Sequence, residues 1–533
     1  MSSVRRPAFF QKNLDCSRLA PFDLSAVTTF HHNLPGYKSS PLVTLPEVAA
    51  DLGIKGVYIK DESSRFGLPS FKILGASYGA HYALVTSLGL RLDCDTNTLA
   101  SKARENGSVL FAATDGNHGR AVAFMAKLLS IEARIFIPRS LDDYTKNAIA
   151  GEGAKVIVGP GDYDEVVVLA AHEANSCPGG VLVQDTSFPG YENVPAKIVE
   201  GYSTIFREID DQLAERDLDI DLVISPAGVG SLAHSVLRYY KSHEREAPSK
   251  VMTVEPDTAA CLYKSLQAGT NSSVQVTTSH TIMTGLNCGT VTHSAWPDFK
   301  ACLDGSVTIS DFEAHSAVQD LKACGVESGP CGAAGLAALR YLATFCRKET
   351  SLNEDSIVVL LNTEGPRPYA TPYGVTGDDS GELTRILTRI ESTISNSSMS
   401  SGSGEEALAD FIEAWLQHRD IESHRVQSDQ GRPSVVGKVA VTGSGRNLMV
   451  NDHIDSVCLA ESTADPSNEN PNEKNDQTAV VGRGSLDIKS GVAAGMIALA
   501  HARKAQPHSG ALLAAGADEE YASIGTKGVP NAR

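Results

Sequence analysis

The stretch Glu62-Ser-Ser-Arg-Phe-Gly-Leu-Pro-Ser-Phe-Lys-Ile-Leu-Gly-Ala-Ser77 decides how this chain of 533 residues is interpreted. It places Lys72 at the start of a predicted helix over 73–84, just after a turn marked by Gly67 and Pro69. Most lysines are solvated surface groups, but the apolar neighbours of Lys72 predict a partly buried amine. Because burial disfavours the charged form, we expect a lowered pKa for Lys72, as a nucleophilic amine requires near neutral pH.

From about residue 40 to 370, short apolar runs alternate with longer helical patterns around this stretch. The predicted strands lie at 56–60, 109–113, 133–137, 155–158, 180–184, 222–225, 251–254 and 357–361. Predicted helices include 119–129, 141–150, 163–174, 232–241 and 332–345. Such alternation is typical of an α/β fold, in which helices cover both faces of a parallel sheet. Ligands of these folds bind at the carboxyl ends of the strands.

Composition excludes several classes of function. The net charge of −18 argues against binding to nucleic acid or to anionic membranes. No apolar run is long enough for a membrane span, and the N-terminal residues do not resemble a signal peptide. The ten cysteines are scattered without a Cys-x-x-Cys pair. We therefore expect a cytoplasmic protein that acts on small molecules.

The motif Thr114-Asp-Gly-Asn-His-Gly119 stands between a predicted strand and a predicted helix. Backbone amides at a helix N-terminus bind anions, and we expect a substrate carboxylate as the anion here. Asn117 is placed to donate a hydrogen bond to a ring hydroxyl of a cofactor. Taken alone, the motif is explained more simply as a Gly/Asn turn with Asp115 as the helix cap.

A glycine-rich turn over 225–231 also follows a predicted strand and opens a helix. The residues suited to hold a phosphate there are Gly228, Val229, Gly230 and Ser231. Thr363 ends the last predicted strand, in the run Thr-Glu-Gly, where a neutral hydroxyl can meet a pyridine nitrogen. Ordinary tight turns remain an alternative explanation for both segments.

In this order, the motifs resemble the pyridoxal-phosphate (PLP) enzymes of the tryptophan-synthase-β fold type, and in detail the diaminopropionate ammonia-lyases. The detailed match covers the segments 62–76, 113–120, 184–186 leading to Gly190, Tyr191 and Pro195, 254–257 and 284–286. It extends over roughly residues 8 to 370. The resemblance implies PLP fold type II, with two lobes and parallel-rich sheets, PLP bound covalently to Lys72, and a homodimer.

The reaction that the resemblance implies is β-elimination, in which the PLP ring stabilises a carbanion at Cα. It assigns Lys72, Asp115 and Asp185 to the catalytic site. Serine and threonine dehydratases of this fold commonly carry a small hydroxyl residue in place of Asp115, and two carboxylates suit a dicationic 2,3-diamino acid. Loss of its β-amine yields pyruvate and ammonia. The β-replacement or dehydration of another amino acid stays open as an alternative.

The composition changes after residue 373. The stretch 374–381 is small and acidic, which predicts a linker between a lyase domain at 1–373 and a second domain at 382–533. In the second domain, helices are predicted near 382 and over 405–418.

Three segments of the second domain resemble the dinuclear zinc aminoacylase, acetylornithine deacetylase and carboxypeptidase family. They are 451–455, 482–491 and 517–520. The resemblance implies that His453 binds one metal, that Asp487 bridges two and that Glu520 binds the second. Asp455 would orient His453, and Glu519 would be the general base for water.

This predicted metal site is incomplete, because the family needs a further acidic ligand and a late histidine that do not follow Glu520. Each metal would have only two protein ligands, whereas catalytic zinc has roughly three plus water. We therefore expect weak or absent zinc binding and a truncated α/β metallopeptidase-like domain without peptidase activity. The alternative is a bifunctional enzyme with a zinc amidohydrolase, which the missing ligands disfavour.

Overall fold

The computed structural model describes residues 5–114, 116–139, 141–160, 163–242, 249–392, 403–429, 432–439, 448–456, 480, 485–486, 488–505 and 510–517. The chain divides into two compact units, one of residues 8–370 and one of residues 1–7 with 371–533. The lyase domain (1–373), linker (374–381) and second domain (382–533) expected from the sequence stay a prediction. Residues 5–7 are placed with the second unit.

Strands and helices alternate along most of the described chain. The strands are β1 (Phe9–Phe10), β2 (Leu42–Thr44), β3 (Gly56–Asp61), β4 (Val109–Ala113), β5 (Glu132–Ile137), β6 (Lys155–Val158), β7 (Gly180–Leu182), β8 (Leu222–Pro226), β9 (Lys250–Pro256), β10 (Gly305–Ile309), β11 (Ile357–Asn362), β12 (Glu422–Asp429), β13 (Arg432–Val439), β14 (Leu448–His453) and β15 (Ala511–Gly516). The helices are α1 (Leu24–Asn33), α2 (Pro46–Leu52), α3 (Lys72–Ser87), α4 (Thr96–Glu105), α5 (Asn117–Leu129), α6 (Asp143–Gly151), α7 (Tyr163–Ser176), α8 (Asn193–Gly201), α9 (Ser203–Ala214), α10 (Ser231–Lys241), α11 (Cys261–Ala268), α12 (Trp296–Cys302), α13 (Asp311–Ala323), α14 (Pro330–Phe345), α15 (Arg347–Thr350), α16 (Ser380–Arg389), α17 (Ser403–His418) and α18 (Lys489–Ala505).

The first unit contains two sheets, ordered β1-β10-β9-β8-β11-β3-β2 and β6-β5-β4-β7. Every neighbouring pair is parallel except β1 with β10 and β2 with β3, at the two edges of the larger sheet. This confirms the parallel-rich α/β fold predicted from the alternation.

The strands of this unit are buried on both faces, which explains why they occur in the sequence as continuous apolar runs. In β11, Val358 and Leu360 pack into one hydrophobic core, whereas Val359 and Leu361 pack into another. Successive side chains of a strand point to opposite faces, so β11 separates two cores. All eight strands predicted between residues 40 and 370 are present, with ends within two residues of those expected.

The second unit has a four-stranded sheet ordered β12-β13-β15-β14. Strands β14 and β15 are parallel, and α18 lies between them in sequence. Trp415 and Leu416 of α17 are fully buried in its core. Among the described residues, no helix is long and apolar enough to cross a membrane.

Candidate active site

Lys72 is the first residue of α3, and the loop before it is held against the end of β11. The N–H of Phe71 donates to the carbonyl of Thr363 at 3.4 Å, and the N–H of Gly365 donates to the carbonyl of Pro69 at 2.9 Å. These backbone bonds fix the approach to α3 at the carboxyl end of a central strand. Lys72 therefore points into the region where α/β folds bind ligands.

The Lys72 ammonium is paired with Asp185. Its Nζ lies 2.6 Å from Asp185 Oδ2, with the lysine side chain 23% exposed and the aspartate 5%. Burial acts to lower the pKa of Lys72, but the Asp185 carboxylate outweighs it and raises that pKa above its ordinary value. The expectation of a lowered lysine pKa is wrong for this structure, because the partner comes from a loop 113 residues away.

Asp185 shows the complementary effect. Burial alone would raise its pKa, but the Lys72 ammonium lowers the pKa of Asp185 to about 2. The pair is therefore ionised across the range in which most enzymes work. A charge-assisted hydrogen bond of this length is among the stronger kinds in proteins.

His118 also faces Asp185, although no role was predicted for it. Its Nε2 lies 2.8 Å from the carbonyl of Val183, and its Nδ1 is 3.8 Å from Asp185 Oδ2, with no hydrogen-bond partner among the described residues. Burial lowers the pKa of His118, which keeps the ring neutral. The position of His118 inside the Asp-Gly-Asn-His-Gly motif was the available signal.

The turn after β8 leaves the start of α10 open to an anion. No side chain caps this helix, and Gly230 has a φ of 98°. A Cβ on Gly228 would lie 2.9 Å from the carbonyl of Gly285, so only glycine fits there. The Ser231 hydroxyl donates to the carbonyl of Asp185 at 2.7 Å and thereby ties the turn to the aspartate loop. The uncapped amides and the bare glycine turn fit a phosphate group.

The structure brings most of the predicted site residues into one pocket. The predicted residues that line it are Lys72, Asn117, Asp185, Gly228, Val229, Gly230, Ser231 and Thr363. Segments that follow strands of both sheets meet there. Asp115 lies outside the described residues, so its predicted place in the site stays a prediction. Glu364 and Arg367 also line this pocket, and no sequence motif pointed to Arg367.

A family comparison decides the class of this pocket. The model of the pyridoxal-phosphate dependent enzymes matches residues 34–364. The chain belongs to this family. Its cofactor is PLP, and the lysine, open helix N-terminus and glycine turn of the pocket fit that group.

Its relatives place this PLP enzyme among the ammonia-lyases. The diaminopropionate ammonia-lyase of Salmonella typhimurium is 34% identical over 360 residues, which cover 64% of this chain and 88% of the relative. The Escherichia coli enzyme is 33% identical over 350 residues, covering 63% and 86%. The chain is a PLP-dependent ammonia-lyase over this region.

Solved structures agree with this assignment. The Escherichia coli diaminopropionate ammonia-lyase in complex with an aminoacrylate–PLP reaction intermediate is 30% identical, with a TM-score of 0.59 over 67% of this chain and 95% of that one. The threonine deaminase of Solanum lycopersicum is 22% identical, with a TM-score of 0.52 over 69% and 97%. At that identity, the second similarity establishes the fold alone.

The second unit holds two residues of the predicted metal site. His453 Nδ1 lies 3.4 Å from Asp455 Oδ1, and Asp455 is fully buried. Asp487, Glu519 and Glu520 lie outside the described residues. Their predicted metal roles, and that of His453, stay predictions.

Proposed function

We propose that the first unit catalyses the β-elimination of ammonia from 2,3-diaminopropionate or a related 2,3-diamino acid, with pyruvate and ammonia as products. The observation that carries this proposal is the ion pair between partly buried Lys72 and buried Asp185, because it combines an amine for PLP with a carboxylate for a second ammonium group. Identities of 33–34% to two diaminopropionate ammonia-lyases support the same substrate class.

When bound, PLP supplies the electron sink for the carbanion at Cα. In this proposal, Lys72 would hold the cofactor, and its free amine would accept the proton from Cα. The amides of the turn over 228–231 bind the phosphate, Asn117 donates to the ring hydroxyl, and Thr363 offers a neutral hydroxyl to the ring nitrogen.

Asp185 gives the site its preference for a diamino acid. Its carboxylate is buried and ionised, so an ammonium group of the substrate can take the place that the Lys72 ammonium occupies. A hydroxyl group in that place would leave the carboxylate charge uncompensated, which is costly in a buried site. Asp115 would add a second carboxylate for the same dication or act as a base on the face opposite Lys72.

The test is to load the purified full chain with PLP and to measure pyruvate and ammonia released from 2,3-diaminopropionate, serine and threonine. We expect the diamino acid to give the highest kcat/KM. Lys72→Ala should lose the visible absorbance of the lysine-bound cofactor and nearly all turnover. Lys102→Ala is the matched control, because Lys102 is 53% exposed on α4. A colourless wild-type protein that stays inactive with added PLP would refute the proposal.

We also propose that the second unit has a metallopeptidase-like fold but no peptidase activity. Strands β14 and β15 run parallel, with His453 opposite Gly516, so the residues after each strand lie at one edge of the sheet. The three ligands named from the sequence, His453, Asp487 and Glu520, would give each metal two protein ligands with Asp487 shared, whereas catalytic zinc has about three plus water.

The zinc content after dialysis, measured by atomic emission, tests this second proposal together with an assay on N-acyl amino acids. We expect less than one zinc per chain and no hydrolysis. Tight stoichiometric zinc, with hydrolysis that His453→Ala abolishes, would contradict it.

A further inference from the structure

Glu364 places a carboxylate at the junction of the two sheets of the first unit. It lies two residues after the end of β11, is 6% exposed, and lines the pocket that holds Lys72. Its backbone carbonyl accepts the N–H of Gly329 at 3.0 Å, and its backbone pairs with Ser70 in an isolated bridge. The backbone of Glu364 is therefore anchored in the lobe of the larger sheet.

Both carboxylate oxygens of Glu364 accept hydrogen bonds. Oε1 accepts the N–H of Cys331 in the first turn of α14 at 3.1 Å, and Oε2 accepts from Asn117 Nδ2 at 3.4 Å. The guanidinium of Arg367 stands 3.7 Å from Oε1 and partly balances the charge. Asn117 begins α5, which follows β4 of the smaller sheet. The Glu364–Asn117 bond thus links the two lobes across the pocket.

The neighbouring backbone makes room for this carboxylate. A Cβ on Gly329 would lie 2.7 Å from Glu364 Oε1, which is closer than real Cβ atoms approach. A larger residue at that position would displace the side chain. The surroundings therefore accommodate Glu364 with its carboxylate turned to Cys331 and Asn117.

We propose that Glu364 is a positioning residue that sets the orientation of Asn117 for PLP. This inference rests on the proposed role of Asn117 at the ring hydroxyl. One Nδ2 proton of Asn117 bonds to Glu364, which leaves the other proton for the ring. Fixing the amide before the cofactor arrives lowers the entropy lost on binding.

The chemistry of glutamine makes the proposal testable. A carboxylate offers two acceptor oxygens, whereas a carboxamide offers one oxygen and one NH2 group. In Glu364→Gln, either Cys331 or Asn117 must therefore face a donor instead of an acceptor. If Glu364 served only to cap α14, the substitution would affect stability and leave the cofactor unchanged.

A double-mutant cycle separates these roles. The proteins are the full-length wild type, Glu364→Gln, Asn117→Ala and the double variant, each stripped of PLP and titrated with PLP by its visible absorbance. We expect Glu364→Gln to weaken PLP affinity by about tenfold and to shift the absorbance maximum, since a lost or mismatched hydrogen bond to a charged group carries roughly that energy. In the Asn117→Ala background, the same substitution should change affinity less than twofold.

Glu327→Gln is the matched control, because Glu327 is an exposed carboxylate just before the turn into α14. It should bind PLP as the wild type does. Equal losses from Glu364→Gln in both backgrounds, or an unchanged PLP affinity in Glu364→Gln, would overturn the proposal. If Glu364→Gln does not fold, Glu364→Asp is used in its place, because aspartate keeps the charge but has a side chain too short to make the same hydrogen bonds. These titrations need no substrate, so they remain decisive even if 2,3-diaminopropionate is not turned over.

Discussion

Lys72 Nζ and Asp185 Oδ2 lie 2.6 Å apart, and each group holds the other in its charged form. An ammonium is not a nucleophile, so an amine that captures the carbonyl of PLP must first lose a proton. Under the proposed roles, Asp185 would therefore oppose the capture of PLP by Lys72, although it would serve the binding of a cationic substrate.

Asp185→Asn should consequently speed the capture of PLP at neutral pH. Without the carboxylate, burial becomes the main influence on Lys72 and lowers its pKa. The capture rate should rise with pH in both proteins, and the profile of the variant should lie about one to three pH units lower. Stopped-flow absorbance after mixing apoprotein with PLP measures this shift.

The same variant should lose turnover of a diamino acid, because the substrate ammonium loses its partner. Asp93→Asn is the control, since Asp93 is exposed and pairs with an exposed arginine. Coincident capture profiles for Asp185→Asn and wild type would show that the carboxylate does not govern Lys72.

Gly228→Ala tests the phosphate end of the pocket. The added Cβ would lie 2.9 Å from the carbonyl of Gly285 and 3.1 Å from Cys288 Sγ, so the turn must shift away from its present position. We expect PLP to bind at least about tenfold more weakly, equivalent to about 1.4 kcal/mol. Equilibrium titration of the apoprotein with PLP gives the value.

Gly151→Ala is the matched control for this substitution. A Cβ on Gly151, the last residue of α6, meets nothing within 4 Å, and its backbone is not in the left-handed region. Its PLP affinity should equal that of the wild type. A Gly228→Ala protein that binds PLP normally would argue against the turn as the phosphate site.

The central strands and the motifs after them were predictable because each depends on local sequence. Strand β11 is recognisable because it is apolar on both faces. The turn over 228–231 is recognisable from its glycines. By contrast, β10 (Gly305–Ile309) was not predicted, because it is short and begins with glycine and serine, which are typical of turns, although its last three residues are β-branched. Strand β1 has only two residues, which are too few to show the alternation of side chains that identifies a strand.

The electrostatics of the site were not predictable from local sequence. The apolar neighbours of Lys72 gave the correct burial and the wrong pKa, because the sign depends on Asp185 from a distant loop. Glu364 was equally well explained as part of a turn until its contact with Asn117 was known. Contacts between the two sheets are set by the tertiary fold, and no motif spacing records them.

A buried ion network supports the loop that leads to Lys72. Arg65 Nη2 lies 2.5 Å from Glu62 Oε1 and 2.8 Å from Glu208 Oε2, and Lys60 Nζ is also 2.8 Å from that oxygen. All four side chains are at most 7% exposed. Removing one partner leaves another charge buried and uncompensated, so Arg65→Ala should lower the free energy of unfolding by about 3–5 kcal/mol.

Urea denaturation followed by circular dichroism measures this loss. Arg91→Ala breaks an exposed pair with Asp93 and should change stability by less than about 1 kcal/mol. Burial alone would raise the pKa of Glu208, but Arg65 and Lys60 lower it to about 2. The contribution of the Glu208 carboxylate to stability is therefore fully present at pH values above the ordinary pKa of glutamate. It is lost as the pH falls from about 4.5 towards 2.

Glu255 should have the opposite pH dependence. It accepts the N–H groups of Leu262 and Tyr263 at the start of α11, at 2.8 and 2.7 Å, but burial raises its pKa to about 7. Between pH 4.5 and 7 the folded protein binds more protons at Glu255 than the unfolded chain, so this group's contribution to stability falls by about 3 kcal/mol as the pH rises.

Urea denaturation of Glu255→Gln and wild type at pH 5 and pH 8 tests this: the variant should be the less stable by a larger margin at pH 5. Glu354→Gln, at an exposed position, should give the same difference at both. A constant difference for Glu255→Gln would mean that Glu255 is ionised throughout.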